Sequence, residues 1–117
     1  LINNAGIGVR KSINELNIDD FLKVFNVNVF GLALFTTEIV PLMIKESYGT
    51  IINIGSTASL KGYKNGSIYS SSKFAVFRCL HNCICLGMLL VRVALVALAC
   101  ASSATPARGR GGDVWAK

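Results

Sequence analysis

The chain has 117 residues, of which 12 are Lys or Arg and 6 are Asp or Glu, so its formal net charge is +6. This length allows one ordinary domain, and a hydrophobic fraction of 52% excludes an intrinsically disordered chain. Four cysteines in so apolar a chain do not make a disulfide scaffold. Its Lys and Arg residues are scattered singly and lack the basic cluster of a nucleic-acid-binding surface, so we predict no nucleic-acid partner.

The first half of the sequence predicts the end of a strand followed by a long helix. Leu1 to Asn4 has the pattern of a buried strand end, and Ala5 to Gly8 form a turn of small residues. The helix is predicted from about Asp19 to Ser47, because acidic residues suit a helix N-terminus, and Pro41 should kink it or mark its last turns. Its apolar residues cover more than one face, so we expect it to be buried on two sides.

A second strand and a second helix follow. The run from Thr50 to Ile54 is short, β-branched and bounded by Gly49 and Gly55, which indicates a central parallel strand. Ser56 to Gly66 is predicted to be a loop, and the second helix begins at about Ser67. The order strand–helix–strand–helix predicts an α/β protein with right-handed crossovers.

The composition changes near residue 80. Residues 80–104 form an apolar segment of uncertain origin, and residues 105–117 are predicted to be a disordered tail. Cys83 to Ala101 is long enough to span a membrane, although Arg92 is an objection, and it could instead continue the second helix. The run from Met88 to Ala104 has a basic start, an apolar stretch and then small residues, so it also resembles a secretory signal. A foreign or frame-shifted segment is therefore our preferred interpretation. A membrane partner is the less favoured alternative.

Four possible metal ligands surround this boundary: Cys79, His81, Cys83 and Cys85. The spacing C-x3-C-x-C is not a usual zinc pattern, and no second paired cluster exists. We predict no metal site and interpret these cysteines as small apolar residues.

The residues that could take part in catalysis are Tyr69, Lys73, Ser56 and Asn28. Tyr69 and Lys73 are four residues apart, so on a helix they share one face. A nearby ammonium lowers the pKa of a tyrosine, which lets it act as a general acid or base. Ser56 follows the predicted strand at its carboxyl end, where open parallel sheets bind ligands. Asn28 is an amide in an apolar helix and needs a hydrogen-bonding partner if buried.

In this order and spacing, Asn3-Asn4-Ala5-Gly6, Asn28, Ser56 and Tyr69-x-x-x-Lys73 resemble the NAD(P)-dependent short-chain dehydrogenase/reductase family. The resemblance covers Leu1 to about Cys79, so residues 1–79 are predicted to be part of a Rossmann-like, doubly wound parallel α/β domain. It implies an oxidoreductase that interconverts a small alcohol and a carbonyl with NAD or NADP. It also implies a cytoplasmic location and a homo-oligomer for the complete protein. The stretch Ile51 to Ala58 is similar to members that act on 3-hydroxy acids or 3-oxoacyl groups.

The resemblance also implies a role for each matching residue. Tyr69 would transfer the proton to or from the substrate oxygen, and Lys73 would lower its pKa and bind the nicotinamide ribose. Ser56 would hold the substrate carbonyl or hydroxyl. Asn28 would anchor a water that relays protons from Lys73 to solvent. The adenosine side of the cofactor would be lined by Asn4, Ala5 and Gly6, and the Asn-Asn pair would stabilise the central sheet.

The sequence departs from the family at both ends. The Gly-rich turn and the residue that selects NAD or NADP are absent, and no Pro-Gly loop follows the second helix. We therefore expect a piece of a longer protein. The alternative is an inactive truncated or frame-shifted product that associates through its apolar helices or a membrane segment.

Overall fold

The computed structural model describes residues 1–84, 91–96 and 113–116, with side chains described for residues 1–78. The strands are β1 (Ile2–Asn3), β2 (Ile7–Arg10), β3 (Gly49–Ile54), β4 (Val91–Val96) and β5 (Asp113–Ala116). The helices are α1 (Ile18–Phe25), a π-helix (Asn26–Gly31), α2 (Leu32–Lys45) and α3 (Ser67–Ile84), with 3₁₀ turns at Ile13–Glu15 and Thr57–Ser59.

A parallel sheet of order β1-β3-β4 forms the centre of the described chain. Ile2 pairs with Ile52 on one side of β3, and Ile52 pairs with Ala94 on the other. The β-branched run in β3 suits a strand with neighbours on both edges. The predicted central parallel strand and α/β architecture are therefore confirmed.

The predicted long helix is continuous from Ile18 to Lys45 but changes its winding in the middle. Asn17 caps its start by accepting a hydrogen bond from the Asp20 backbone N–H at 2.9 Å. The π-helical segment then inserts a wider turn, as π-helices commonly do near functional sites. Pro41 lies in the last turns of α2, as the sequence predicts.

The prediction that this helix is buried on two sides is wrong for the chain as it folds here. No residue of α2 is buried, and its half-buried positions form one stripe along a single face: Leu32, Thr36, Ile39, Val40 and Met43. The reason is that the strands beside α2 contact only that stripe. By length and hydropathy alone, Ile18–Lys45 would also suffice to cross a membrane, a test that core helices of water-soluble proteins pass too.

Two expectations for the second part of the chain are corrected. Val91–Val96 is a strand paired in parallel with β3, so Cys83 to Ala101 is neither one membrane helix nor a continuation of α3. Asp113–Ala116 pairs antiparallel with β2, so these residues are not part of a disordered tail. A β-branched run next to a central strand and a Val-Trp pair both favour strands. Residues 85–90, 97–112 and 117 lie outside the described residues.

A small apolar core joins the elements that carry the candidate site. Val9 of β2, Val24 of α1 and Ile68 of α3 are fully buried against one another. Partly buried residues complete the cluster: Ile7, Leu16, Phe21 and Phe25. This core fixes the position of α3 relative to the turn before β2.

Candidate active site

Tyr69 and Lys73 lie one turn apart near the start of α3, and both are buried. The Lys73 ammonium nitrogen is 6.0 Å from the centre of the Tyr69 ring and donates a hydrogen bond of 2.9 Å to the Ile54 carbonyl. Ile54 ends β3, so the ammonium group lies at the carboxyl end of the central strand. That is where parallel α/β sheets bind ligands.

Asn28 is turned inward by the π-helical segment and is 1% exposed. Its carboxamide contacts both polar groups of the Ile7 backbone. Oδ1 accepts from the Ile7 N–H at 2.8 Å, and Nδ2 donates to the Ile7 carbonyl at 2.9 Å. This two-point contact is the one that a neighbouring strand would make with a residue of an antiparallel pair. The hydrogen-bonding partner that a buried Asn28 needs is therefore the backbone of Ile7, the first residue of β2.

The second hydrogen of the Asn28 amide goes to Ser72. Asn28 Nδ2 donates to Ser72 Oγ at 2.9 Å, and Ser72 Oγ donates to the Tyr69 carbonyl at 2.8 Å. Ser72 is fully buried and lies between Tyr69 and Lys73 in sequence. The amide thus connects the long helix, the first residue of β2 and the helix that carries the tyrosine and the lysine.

Gly6 lies beside both Asn28 and Lys73. A β-carbon built on Gly6 would be 3.5 Å from Lys73 Nζ and 3.6 Å from Asn28 Oδ1. The absence of a side chain therefore leaves the Gly6 backbone and the ammonium group facing the same space.

Ser56 lies two residues after the end of β3 and is buried. Its Oγ accepts a hydrogen bond of 3.2 Å from the Ala58 backbone N–H, which caps the short 3₁₀ turn. Ser59, in the same turn, donates to the Lys73 carbonyl at 3.0 Å. The turn that holds Ser56 is thereby fixed to the helix that carries Tyr69 and Lys73.

Asn4 and Ala5 are exposed and line a different space from Lys73. This cavity of about 380 Å³ is lined by residues 1–5 and by residues of the long helix, and it is mostly apolar. Asn3 points into the sheet instead, where its Nδ2 donates to Asn53 Oδ1 at 2.7 Å and to Thr36 Oγ1 at 3.2 Å. The expected sheet-stabilising role thus falls on Asn3 of the Asn-Asn pair.

Arg10 and Tyr63 form a contact near the start of α3. The Arg10 guanidinium carbon lies 5.6 Å from the centre of the Tyr63 ring, a cation–π distance. The same ring packs against Gly66, where a β-carbon would come within 2.2 Å of it. An exposed cation is therefore held close to the helix that carries Tyr69.

One ion pair lies at the entrance to the long helix. Lys11 Nζ contacts both carboxylate oxygens of Asp20, at 2.9 and 2.8 Å. This hydrogen bonding holds the pKa of Asp20 below its usual value. Within the part of the chain that the structure describes, no group of three His, Cys, Asp or Glu residues could hold a metal ion. The side chains of Cys79, His81, Cys83 and Cys85 lie outside that part.

The structure brings Gly6, Asn28, Tyr69 and Lys73 into one neighbourhood, with Ser56 on the adjoining turn. It places Asn4 and Ala5 in the separate cavity beside β1. Sequence reasoning missed two residues that hold this arrangement together, Ser59 and Ser72. For Ser72 a signal existed, because a hydroxyl three residues after Tyr69 shares its helix face. For Ser59 the sequence carried no signal.

Comparison with known proteins identifies the family of the chain. The family model described as short chain dehydrogenase matches residues 1–110, so the similarity extends beyond the expected limit near Cys79. The chain is 38% identical over 77 residues to an NADP-dependent 3-hydroxy acid dehydrogenase of Schizosaccharomyces pombe. That match covers 65% of this chain and 30% of the relative. It is 40% identical over 77 residues to a 2-dehydro-3-deoxy-L-rhamnonate dehydrogenase (NAD(+)) of Sphingomonas, covering 65% and 31%.

Among solved structures, serine dehydrogenase from Escherichia coli superposes with a TM-score of 0.79 at 31% identity, covering 85% of this chain and 46% of that one. The Rossmann-like fold is thereby confirmed. The chain spans about a third of the length of the curated relatives it matches. Since the family model matches nearly all of its residues, the chain belongs to the short chain dehydrogenase family.

Proposed function

We propose that this chain carries the proton-transfer site of an NAD(P)-dependent oxidoreductase that interconverts an alcohol and a carbonyl. The observation that supports this most directly is the buried Lys73 ammonium at the carboxyl end of β3, one helical turn from Tyr69. A cation at that distance favours the phenolate form of a tyrosine and so lowers its pKa. Tyr69 would then donate a proton to the substrate oxygen in reduction and accept it in oxidation.

Ser56 and Asn28 would assist this transfer. Ser56 would hydrogen-bond the substrate oxygen from the turn that follows β3. Asn28 Oδ1 and Lys73 Nζ both border the space beside Gly6, where a water that contacts them could relay protons to solvent. The side-chain amide hydrogens of Asn28 are already used, so only its Oδ1 or its backbone could hold that water.

A nicotinamide cofactor fits the residues around Lys73. Because Gly6 has no side chain, its backbone and the ammonium group of Lys73 could approach a ribose together. Asn4 and Ala5 would contact the adenosine side from the cavity next to β1. When bound, the nicotinamide supplies or accepts the hydride, while the protein positions the substrate and handles the proton. The two relatives named above use NADP and NAD(+), so the choice between them stays open.

We propose a small substrate that carries a carboxylate or an oxoacyl group. Both curated relatives are named for acids, a 3-hydroxy acid and a rhamnonate. Arg10, held on Tyr63 near α3, is the cation that could attract such a group, since guanidinium binds carboxylates strongly. A cytoplasmic location and a homo-oligomeric complete protein remain predictions.

The test is oxidation of NADPH or NADH by the full-length protein in the presence of small carbonyl compounds. We expect faster turnover with a 3-oxo acid than with its amide, which has the same shape but no charge. That residues 80–104 are a foreign or frame-shifted segment also remains a prediction. If full-length protein oxidises no reduced cofactor with any of these compounds, the inactive-product alternative is favoured instead.

A further inference from the structure

We propose that Ser72 is a positioning residue whose hydroxyl sets the orientation of the Asn28 carboxamide. Through Asn28 it holds the Gly6–Ile7 backbone beside Lys73. Only the consequence for cofactor binding depends on the function proposed above. The orientation itself follows from the hydrogen bonds of four described residues.

The argument starts from the single hydrogen of a serine hydroxyl. Ser72 Oγ uses this hydrogen to bond the Tyr69 carbonyl at 2.8 Å. Toward Asn28 it can therefore only accept, so the amide atom that faces it must be the NH₂ group. The other end of the amide, Oδ1, is then directed at the Ile7 N–H, which needs an acceptor.

Reversal of the amide would break this arrangement at every contact. The Asn28 NH₂ group would face the Ile7 N–H, and its oxygen would face the Ser72 oxygen. Asn28 is 1% exposed and Ser72 is fully buried, so bulk solvent would not readily compensate these groups. The Ile7 backbone and the Ser72 hydroxyl therefore require the same amide orientation, and Ser72 adds the acceptor for the second amide hydrogen.

The position of Ile7 matters because Gly6 precedes it. Gly6 is the residue whose backbone faces the Lys73 ammonium and Asn28 Oδ1. A looser Ile7 would let this backbone move away from the lysine. Ser72 thus connects the helix carrying Tyr69 and Lys73 to the turn opposite it, without contacting that turn itself.

The neighbouring residue Ser71 offers a matched control. Ser71 Oγ donates to the Ile68 carbonyl at 2.8 Å, the same local bond that Ser72 makes to Tyr69. Ser71 is exposed, and no contact to Asn28 is recorded for it within the described side chains. Replacing either serine by alanine removes the same bond within the helix, but only Ser72→Ala removes the acceptor for Asn28.

The experiment is amide hydrogen exchange by NMR on the full chain. The Ile7 amide reports the Asn28 contact directly, since its N–H bonds the side chain of Asn28. The Ile52 amide, which donates to the Leu1 carbonyl at 2.8 Å, serves as an internal reference for the sheet. We expect Ser72→Ala and Asn28→Ala to lower the Ile7 protection relative to Ile52 by about tenfold or more.

Ser71→Ala should leave the ratio of Ile7 to Ile52 protection unchanged, and Ser72→Thr should retain it because the hydroxyl is kept. If Ser72→Ala preserves this ratio while Asn28→Ala lowers it, the proposal is wrong. An equal drop in Ser71→Ala and Ser72→Ala would also overturn it, since the effect would then be a general one on α3.

Cofactor titration of the full-length protein separates this proposal from the proposed function. If both hold, Ser72→Ala weakens NADPH or NADH binding by about tenfold, and Ser71→Ala does not. If the wild-type protein binds neither cofactor but Ser72→Ala still exposes the Ile7 amide, the positioning role stands and the proposed function fails.

Discussion

The long helix has two sides that differ in how many contacts they make with the rest of the described chain. On its inner side, Asn28 is buried and its amide bonds Ile7 and Ser72. On its outer side, Leu34 and Phe35 are each 65% exposed. The polar groups of the candidate site are thus matched within the described chain, whereas the apolar surface of the same helix is not.

This difference shows that the buried polar groups of the site need hydrogen-bonding partners, whereas the apolar side chains of the outer surface do not need to be covered. An unpaired buried amide costs free energy at once, so its partners must come from nearby elements. An exposed apolar side chain can be covered by another part of the polypeptide or by a second subunit. We expect substitutions on the inner side to change chemistry or stability and those on the outer side to change association.

The largest effect is expected from Tyr69→Phe, which removes the proposed proton donor at the inner side. Turnover by the full-length protein should fall by about 10²- to 10⁴-fold, the usual contribution of a general acid or base. Steady-state oxidation of NADPH or NADH measures it. Tyr48→Phe is the control, because Tyr48 is 78% exposed on the turn after α2. Equal turnover in Tyr69→Phe and wild type would remove Tyr69 from the mechanism.

Next in size is Asn28→Ala, which leaves the Ile7 N–H and C=O without their partner. The free energy of unfolding should fall by about 1–3 kcal/mol, the cost of burying unpaired polar groups. Urea denaturation followed by circular dichroism measures it. Asn26→Ala is the matched control, since Asn26 lies in the same π-helical segment but is exposed. A loss as large in Asn26→Ala would mean that the helix, rather than the contact with Ile7, is responsible.

A smaller effect on stability is expected on the outer side. The double variant Leu34→Gln with Leu42→Gln, at positions that are 65% and 58% exposed, should change the free energy of unfolding by less than about 0.5 kcal/mol, as for most surface positions. Self-association, measured by sedimentation velocity at several concentrations, should decrease. Thr37→Gln, also exposed, tests whether a new glutamine alone has this effect. Undiminished association of the double variant would show that another surface is used.

The smallest effect concerns the Lys11–Asp20 ion pair. Its hydrogen bonds lower the pKa of Asp20 from 3.8, so the stabilisation is present above the unfolded pKa and is lost as the pH falls through the folded value. The melting temperature should fall more steeply in acid for wild type than for Asp20→Asn. Asp19→Asn, at the exposed neighbouring position, should keep the wild-type slope. Parallel curves for wild type and Asp20→Asn would argue that this pair contributes nothing.

The sequence predicted the elements whose signals are local. The β-branched run in β3, the acidic first turn of the long helix and the spacing of Tyr69 and Lys73 all depend on neighbouring residues. Burial of the long helix was not predictable, because it depends on which strands reach α2. The role of β4 was also missed, since an apolar run has the same composition in a strand, a buried helix or a membrane span.

Within the site, the sequence indicated which residues matter but not how they are connected. A buried amide at Asn28 had to have partners, yet nothing in the spacing pointed to the Ile7 backbone. That contact depends on the π-helical turn, for which the sequence offers no clear signature. For Ser72 the spacing placed a hydroxyl on the helix face of Tyr69, but its bond to Asn28 arises only from the packing of α3 against the long helix.

The most direct test of the proposed site is fluorescence titration of NADPH and NADH with the full-length protein. We expect the wild type to bind one of the two with a dissociation constant of about micromolar order. The double variant Tyr69→Phe with Lys73→Ala should lose this binding, while Tyr48→Phe with Lys45→Ala should retain it. Undiminished binding by the Tyr69→Phe with Lys73→Ala variant, at a protein fold shown intact by circular dichroism, would contradict the account.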